Sequence, residues 1–183
     1  MYVLAFDTTA IAASVCVCAD DKLLCCTTLQ NGNTHSQTLL PMIEQALQQF
    51  SLTVTDIDLM ACSVGPGSFT GVRIGVAAAK GFAWGGEIPC CGVSTLEAMA
   101  ESRGVYRGYV CACMDARRSQ TYTAIFKAES GKLTRILEDC AISFAELGEK
   151  LKNCKKPIFL VGDGGTLCYN TLKERLPRLI LPP

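Results

Sequence analysis

The residues best placed to do chemistry run from Ala61 to Gly75. An apolar run from Leu59 to Val64 stops at Gly65-Pro66-Gly67, and Ser68 then offers a helix N-cap. Strand, glycine turn and capped helix together put free backbone N–H groups and a positive dipole end at a strand's C-terminal edge, where anions bind. The stretch fails the P-loop spacing, because the position five after Gly65 is Thr70 and no lysine follows Gly71. Gly65, Gly67 and Ser68 are thus candidates for a partial phosphate cradle. Asp7-Thr8-Thr9 is a second candidate. An Asp followed by two hydroxyls at a strand end can hold a magnesium-bound phosphate, or it can satisfy backbone N–H groups in a local turn. On spacing alone the turn takes precedence. Gly162-Asp163-Gly164-Gly165 follows another apolar run, but any helix start needs such a turn.

The other chemistry is thinly supplied. His35 is the sole histidine, and its i+4 neighbour is Leu39, so it forms no helical metal pair. No Ser-His-Asp arrangement can be built convincingly around it. There are 12 cysteines but no Cys-x-x-Cys. Cys16/Cys18 and Cys111/Cys113 each share one face of a strand, whereas the adjacent pairs Cys25-Cys26 and Cys90-Cys91 point to opposite faces. This pattern is expected of small buried hydrophobes in a reducing compartment. Seventeen basic residues balance 17 acidic ones in the 183-residue chain. No net charge is left to draw it onto nucleic acid or membrane. Asp7 interrupts the first apolar run, so no signal peptide is expected, and no stretch reaches the ~18–20 residues of a membrane span. The expected location is cytoplasmic.

The elements that must position these residues fall into two blocks. Tyr2–Thr8, Ala12–Ala19 and Lys22–Leu29 read as an antiparallel meander with short links. A helix from Thr34 to about Phe50 carries Leu39, Met42, Ile43, Ala46, Leu47 and Phe50 on one stripe. Strand 58–64, helix 68–84, strand Ile88–Val93 and a helix capped by Ser94-Thr95 complete an α/β unit ending near Gly104. The helix 68–84 is apolar nearly all round, with only Arg73 and Lys80 charged, so it needs cover on both sides. Gly71, Gly75 and Ala79 recur every four residues and let another backbone approach. A second block from Tyr106 offers strands at Tyr109–Met114, Gln120–Lys127, Leu133–Glu138 and Ile158–Val161, with helices at Phe144–Lys152 and from Thr166 to about Arg175. Pro177 and Pro182-Pro183 close it.

Asp7-Thr8-Thr9, His35-Ser36-Gln37 with Leu39-Leu40-Pro41, Gly65–Gly75, Ile88-Pro89, Gly92–Leu96 and Asp115-Ala116-Arg117 together closely resemble the TsaB (YeaZ) family. This bacterial family is needed for the threonylcarbamoyladenosine modification of tRNA. The resemblance covers nearly the whole chain. It implies an actin-like ATPase (ribonuclease H-like) fold with two subdomains, 1–104 and 105–183. Family members usually continue further, with a helix that packs back on the first subdomain, so the second is expected to be reduced or truncated.

The resemblance also implies a non-catalytic scaffold subunit for N6-threonylcarbamoyladenosine formation at position 37 of tRNAs. Its partners would be the transferase TsaD and, through the complex, the ATPase TsaE. Alone it would form a homodimer, and tRNA would be met only indirectly. TsaD carries a metal-binding His-x-x-x-His where Thr95 and Met99 stand here, and neither a hydroxyl nor a thioether replaces imidazole. No resident metal or cofactor is therefore expected, with ATP or ADP bound weakly or only with the partner. The expected partner surface is the first two helices, through Leu39, Ile43, Leu47, Ile74, Ala78 and Phe82. Asp7, Thr8, Thr9, Gly65, Gly67 and Ser68 form the possible nucleotide site. The rival reading is an ATP-dependent carbamoyl transferase or kinase on the same fold.

Overall fold

A computed structural model describes residues 1–105 and 107–181. Tyr106 and Pro182-Pro183, taken above to open the second block and to close the chain, lie outside the described residues. The first compact unit is Met1–Thr95, and the second starts at Leu96.

In the first unit β1 (Tyr2–Asp7), β2 (Ala13–Ala19) and β3 (Lys22–Leu29) form the expected antiparallel meander. Helix α1 (His35–Gln48) leads to β4 (Leu59–Ser63), α2 (Phe69–Gly86), β5 (Cys90–Val93) and α3 (Thr95–Glu101). The sheet order is β3-β2-β1-β4-β5, with β4 parallel to β1 and β5 parallel to β4. Alternation along the strands turns Leu4, Phe6, Val15, Val17, Met60 and Cys62 to one face. There they pack with Leu39, Met42, Ile43, Ala46 and Leu47 of α1 and with Ala79 of α2.

This packing corrects the expected partner surface. Leu39, Ile43 and Leu47 are buried in the unit's own core. A helix with a single apolar stripe has only that stripe to bury, and the sheet takes it. Each such side chain stabilises the fold by about 1.5–3 kcal/mol. Ile74, Ala78 and Phe82 are half-buried, packed in part against the same core.

The second unit repeats the first. Strands β6 (Arg107–Asp115), β7 (Gln120–Glu129) and β8 (Lys132–Ser143) form a meander, followed by α4 (Phe144–Leu151), β9 (Ile158–Val161), α5 (Gly165–Leu172) and β10 (Leu179–Ile180). The order β10-β9-β6-β7-β8, with β9 parallel to both β6 and β10, matches the first sheet strand for strand. Reduction falls on the helices, where α4 and α5 have 8 residues each against 14 and 18 in α1 and α2, and on the edge strand, where β10 has 2 residues against 4 in β5. Glu97 of α3 pairs with Arg135 of β8 at 2.6 Å, and Arg135 also lies over the Phe126 ring. Most of α3 falls in the second unit.

The cysteines split by environment. Cys62, Cys111, Cys113, Cys154 and Cys168 are buried hydrophobes, as expected, while Cys90 and Cys91 are exposed. Cys16 and Cys26 depart from the expectation. They face each other across β2 and β3 and are joined as a disulfide. Among the described residues no helix is long and apolar enough to cross a membrane.

Candidate functional site

The strand–turn–helix unit at Gly65–Gly75 forms as its residues dictate. Ser68 caps α2 by accepting from the Gly71 amide at 3.2 Å, and Gly65 takes φ +107°, a conformation that suits glycine. The turn closes onto the end of β1. The Ser68 amide donates to the Thr9 carbonyl at 2.7 Å, and Thr8 Oγ1 donates to the Gly71 carbonyl at 2.7 Å. A Cβ on Gly67 would stand 2.5 Å from the Thr9 carbonyl oxygen, and one on Gly75 2.6 Å from Thr8 Oγ1. The glycines spaced by four thus admit the chain's own Thr8 and Thr9, not a partner's backbone.

Asp7 is engaged as well. Its carboxylate accepts from the Thr9 amide at 2.7 Å and from Thr9 Oγ1 at 2.9 Å. Thr8 and Thr9 are buried. The six candidate nucleotide residues are brought together, but the Thr8 hydroxyl and the Ser68 amide hold β1 to α2, the Thr9 hydroxyl donates to Asp7 and the Ser68 hydroxyl caps α2. His35 Nε2 donates to the Ala10 carbonyl at 2.8 Å and ties the β1–β2 turn to the start of α1.

The second repeat builds the same corner. Asp115 accepts from the Arg117 amide at 2.7 Å, and the Gly164 amide donates to the Cys113 carbonyl at 3.0 Å. Thr95 is buried with no hydrogen-bond partner for its Oγ1 among the described residues, and Met99 is half-buried. Among the described residues no three His, Cys, Asp or Glu side chains group closely enough to hold a metal.

The residues that the sequence reading missed lie on the outer face of α2. Gly71, Gly75 and Ala79 press on the sheet, so the opposite side presents Phe69, Arg73, Ala77, Lys80 and Trp84. Phe69 is 70% exposed and Trp84 90% exposed. The Arg73 guanidinium lies 3.7 Å from the Phe69 ring centroid. The signal was present in the 69/73/77/80/84 spacing. It was masked by a helix whose other faces are equally apolar.

Two sheets of one topology, each with a glycine turn docked on its first strand, define an actin-like fold. A Bacteroides thetaiotaomicron protein with an actin-like ATPase fold superimposes with a TM-score of 0.50 at 10% identity, over 99% of this chain and 90% of that one. The model of TsaD, tRNA N6-adenosine threonylcarbamoyltransferase, matches residues 30–166. The tRNA threonylcarbamoyladenosine biosynthesis protein TsaB of Escherichia coli (strain K12) is 35% identical over 172 residues, covering 90% of this chain and 72% of that protein. The crystal structure of an uncharacterized Pseudomonas aeruginosa protein with similarity to peptidase YEAZ gives a TM-score of 0.79 at 26% identity, over 87% of this chain and 74% of that one. The chain belongs to the TsaB family.

Proposed function

We propose that this chain is a non-catalytic subunit of tRNA threonylcarbamoyladenosine biosynthesis that pairs with TsaD, and through it with TsaE, along the outer face of α2. The observation that carries the reading is the exposed stripe from Phe69 to Trp84. Two large aromatics so exposed on one helix face mark an interaction surface. TsaD occupies that face in the complex, and a second copy does so when the chain is alone. Contact with tRNA is indirect, and no resident metal or nucleotide is needed for the pairing.

Support for the non-catalytic part comes from the corner at β1. A kinase or carbamoyl transferase would need the Thr8 and Thr9 hydroxyls and the amides at the start of α2 for phosphate, and here Thr8 donates to the Gly71 carbonyl, Thr9 to the Asp7 carboxylate and the Ser68 amide to the Thr9 carbonyl. The sequence also offers no imidazole at positions 95 and 99.

Ala77→Glu tests the surface. Ala77 is exposed, so the variant keeps its fold, whereas a carboxylate buried at the centre of the seam costs several kcal/mol of binding. Loss of TsaD co-purification with an unchanged circular dichroism spectrum is expected. Full retention of TsaD would move the interface elsewhere. Ala78→Glu is the poorer probe, because Ala78 leans on the unit's own core. Threonylcarbamoyl transfer by the isolated chain would refute the non-catalytic reading.

A further inference from the structure

Seven of the 17 Lys and Arg fall in two short segments of the second unit, residues 150–156 and 173–178, beside a single acid, Glu174. The chain as a whole is balanced, so this concentration is local. The two segments meet at the end of the sheet where β9 and β10 begin, opposite the end that carries the Gly162 turn. The Ile158 amide donates to the Arg178 carbonyl at 2.9 Å, and Arg178 Nη1 donates to the Cys154 carbonyl at 3.0 Å. Between them lies a cleft of about 470 Å³.

The cleft has an apolar floor and a cationic rim. Leu151, Cys154, Ile158 and Leu176 are buried members of the unit's core, whereas Lys152, Arg175 and Arg178 are exposed. Burial pushes the Cys154 thiol up, so it adds no negative charge at neutral pH. Glu149 accepts from Lys152 Nζ at 2.6 Å. Among the described residues no carboxylate pairs with Arg175 or Arg178, so both of these positive charges stand uncompensated.

Helix ends account for only part of this charge. Lys152 and Lys173 stand at the C-caps of α4 and α5, where a cation offsets the negative end of the helix dipole. That effect fades within the last turn, and Arg175 and Arg178 lie three and six residues past the end of α5. Arg178 is also fixed in advance by the Cys154 carbonyl. A guanidinium has several N–H donors in a planar fork, so one bond to a carbonyl leaves most of them for an anion.

We propose that this cleft binds a small phosphorylated molecule, its phosphate held by Arg175, Arg178 and Lys152 and its apolar body on Leu151, Ile158 and Leu176. A phosphate monoester carries about two negative charges at neutral pH and matches the two free cations, where a single carboxylate leaves one of them unpaired. Arginine forks bind its oxygens in pairs. The cleft has the size of a small-molecule site, and the sugar–phosphate backbone of an RNA would leave its apolar floor unused. The site belongs to the second unit alone and stands independently of the pairing through α2.

Phenyl phosphate titrated into the full chain, followed by calorimetry and amide NMR shifts, tests the site. Inorganic phosphate, which lacks the ring, and benzoate, which keeps the ring with one charge, are the controls. One phenyl phosphate per chain is expected to bind with a dissociation constant of about 1 mM or below, and either control at least about tenfold more weakly. Shifts should concentrate at residues 153–156 and 175–178. Arg175→Gln should weaken phenyl phosphate at least about tenfold, and Arg175→Lys should keep most of the affinity. Arg175 is exposed and bonds to no side chain among the described residues, so both variants keep their fold, checked by circular dichroism. No binding at about 10 mM, affinity unchanged in Arg175→Gln, or either control bound as tightly as phenyl phosphate would overturn the assignment. Shifts confined to residues 65–68 would also overturn it, by moving the anion to the glycine turn of the first unit.

Discussion

Gly71→Ala should destabilise the first unit, while Gly81→Ala ten residues along the same helix should stabilise it. At position 71 the new methyl group runs into the Thr8 carbonyl oxygen. The backbone has little room to yield, because Thr8 Oγ1 donates to the Gly71 carbonyl and the Ser68 amide to the Thr9 carbonyl, both at 2.7 Å. Overpacking of this kind costs about 1–3 kcal/mol. Pulling α2 away would lose one or two buried hydrogen bonds at about 1 kcal/mol each. Replacing a helical glycine by alanine returns at most about 1 kcal/mol. The net expectation for Gly71→Ala is a loss of roughly 1–4 kcal/mol. At Gly81 nothing lies within 4 Å of the added Cβ. Only the propensity gain of about 1 kcal/mol remains. Urea denaturation followed by far-ultraviolet circular dichroism reads both variants against wild type. Equal shifts, or a stabilised Gly71→Ala, would refute the docking of α2 on Thr8 as the reason for that glycine.

Three further outcomes are expected. ATP titrated into the isolated chain should give weak heat or none, because Asp7 and Thr9 are bonded to each other, Thr8 to the Gly71 carbonyl and the Ser68 amide to the Thr9 carbonyl; a low micromolar dissociation constant by calorimetry would restore the kinase reading. An aromatic disulfide reagent at about pH 8 should label exposed Cys90 and Cys91 first. Cys111 should react only on unfolding, since its contact with the Cys113 thiol and its burial push its pKa well above the ordinary thiol value; early labelling of Cys111 would contradict its packing. Ser143→Ala should cost about 1 kcal/mol at neutral pH by removing the α4 cap. The Ser143 amide and then its hydroxyl hold Glu146 below the ordinary 4.5, so the contribution of this carboxylate is full above that value and falls away as pH drops through the lower folded one. The gap in urea midpoint between wild type and Ser143→Ala should therefore narrow in acid, and a constant gap would argue against the reciprocal cap.

Local chemistry was legible wherever it is set by neighbours in the chain. Short polar links made β1, β2 and β3 a meander, and Ser68 announced the start of α2 by its position before an apolar run. Strand β9 was likewise bounded as expected, at Ile158–Val161. What an element faces was harder to read. The stripe on α1 was found residue by residue, yet periodicity says only that a stripe is buried and not by what, and the unit's own sheet takes it. On α2 hydrophobicity gives no phase, because Ile74, Ala78 and Phe82 are as apolar as Phe69, Ala77 and Trp84. The phase was written in Gly71, Gly75 and Ala79, since the smallest residues mark the closest approach, here to the end of β1. Strand β10 is two residues long and joins the sheet only through β9, which leaves no alternation to detect.

The duplicated architecture explains why the exposed stripe of α2 lies where it does. In each repeat the first strand ends in an aspartate that accepts the amide two residues on, at 2.7 Å in both. In each, the glycine turn after the fourth strand then donates an amide to backbone at that end: Ser68 to Thr9 at 2.7 Å, and Gly164 to Cys113 at 3.0 Å. A turn used this way keeps fewer of its amides for an anion and gains a rigid junction between strand and helix. In the first repeat that junction carries the 18-residue α2, pinned by Thr8 along the side of its glycines. Pinning one side of a helix fixes the direction of the other, and the other side is the stripe from Phe69 to Trp84. The second repeat has the junction but only the 8-residue α5 behind it. The corner that could have held phosphate therefore fixes, in the first unit, the direction of the exposed aromatic stripe on α2.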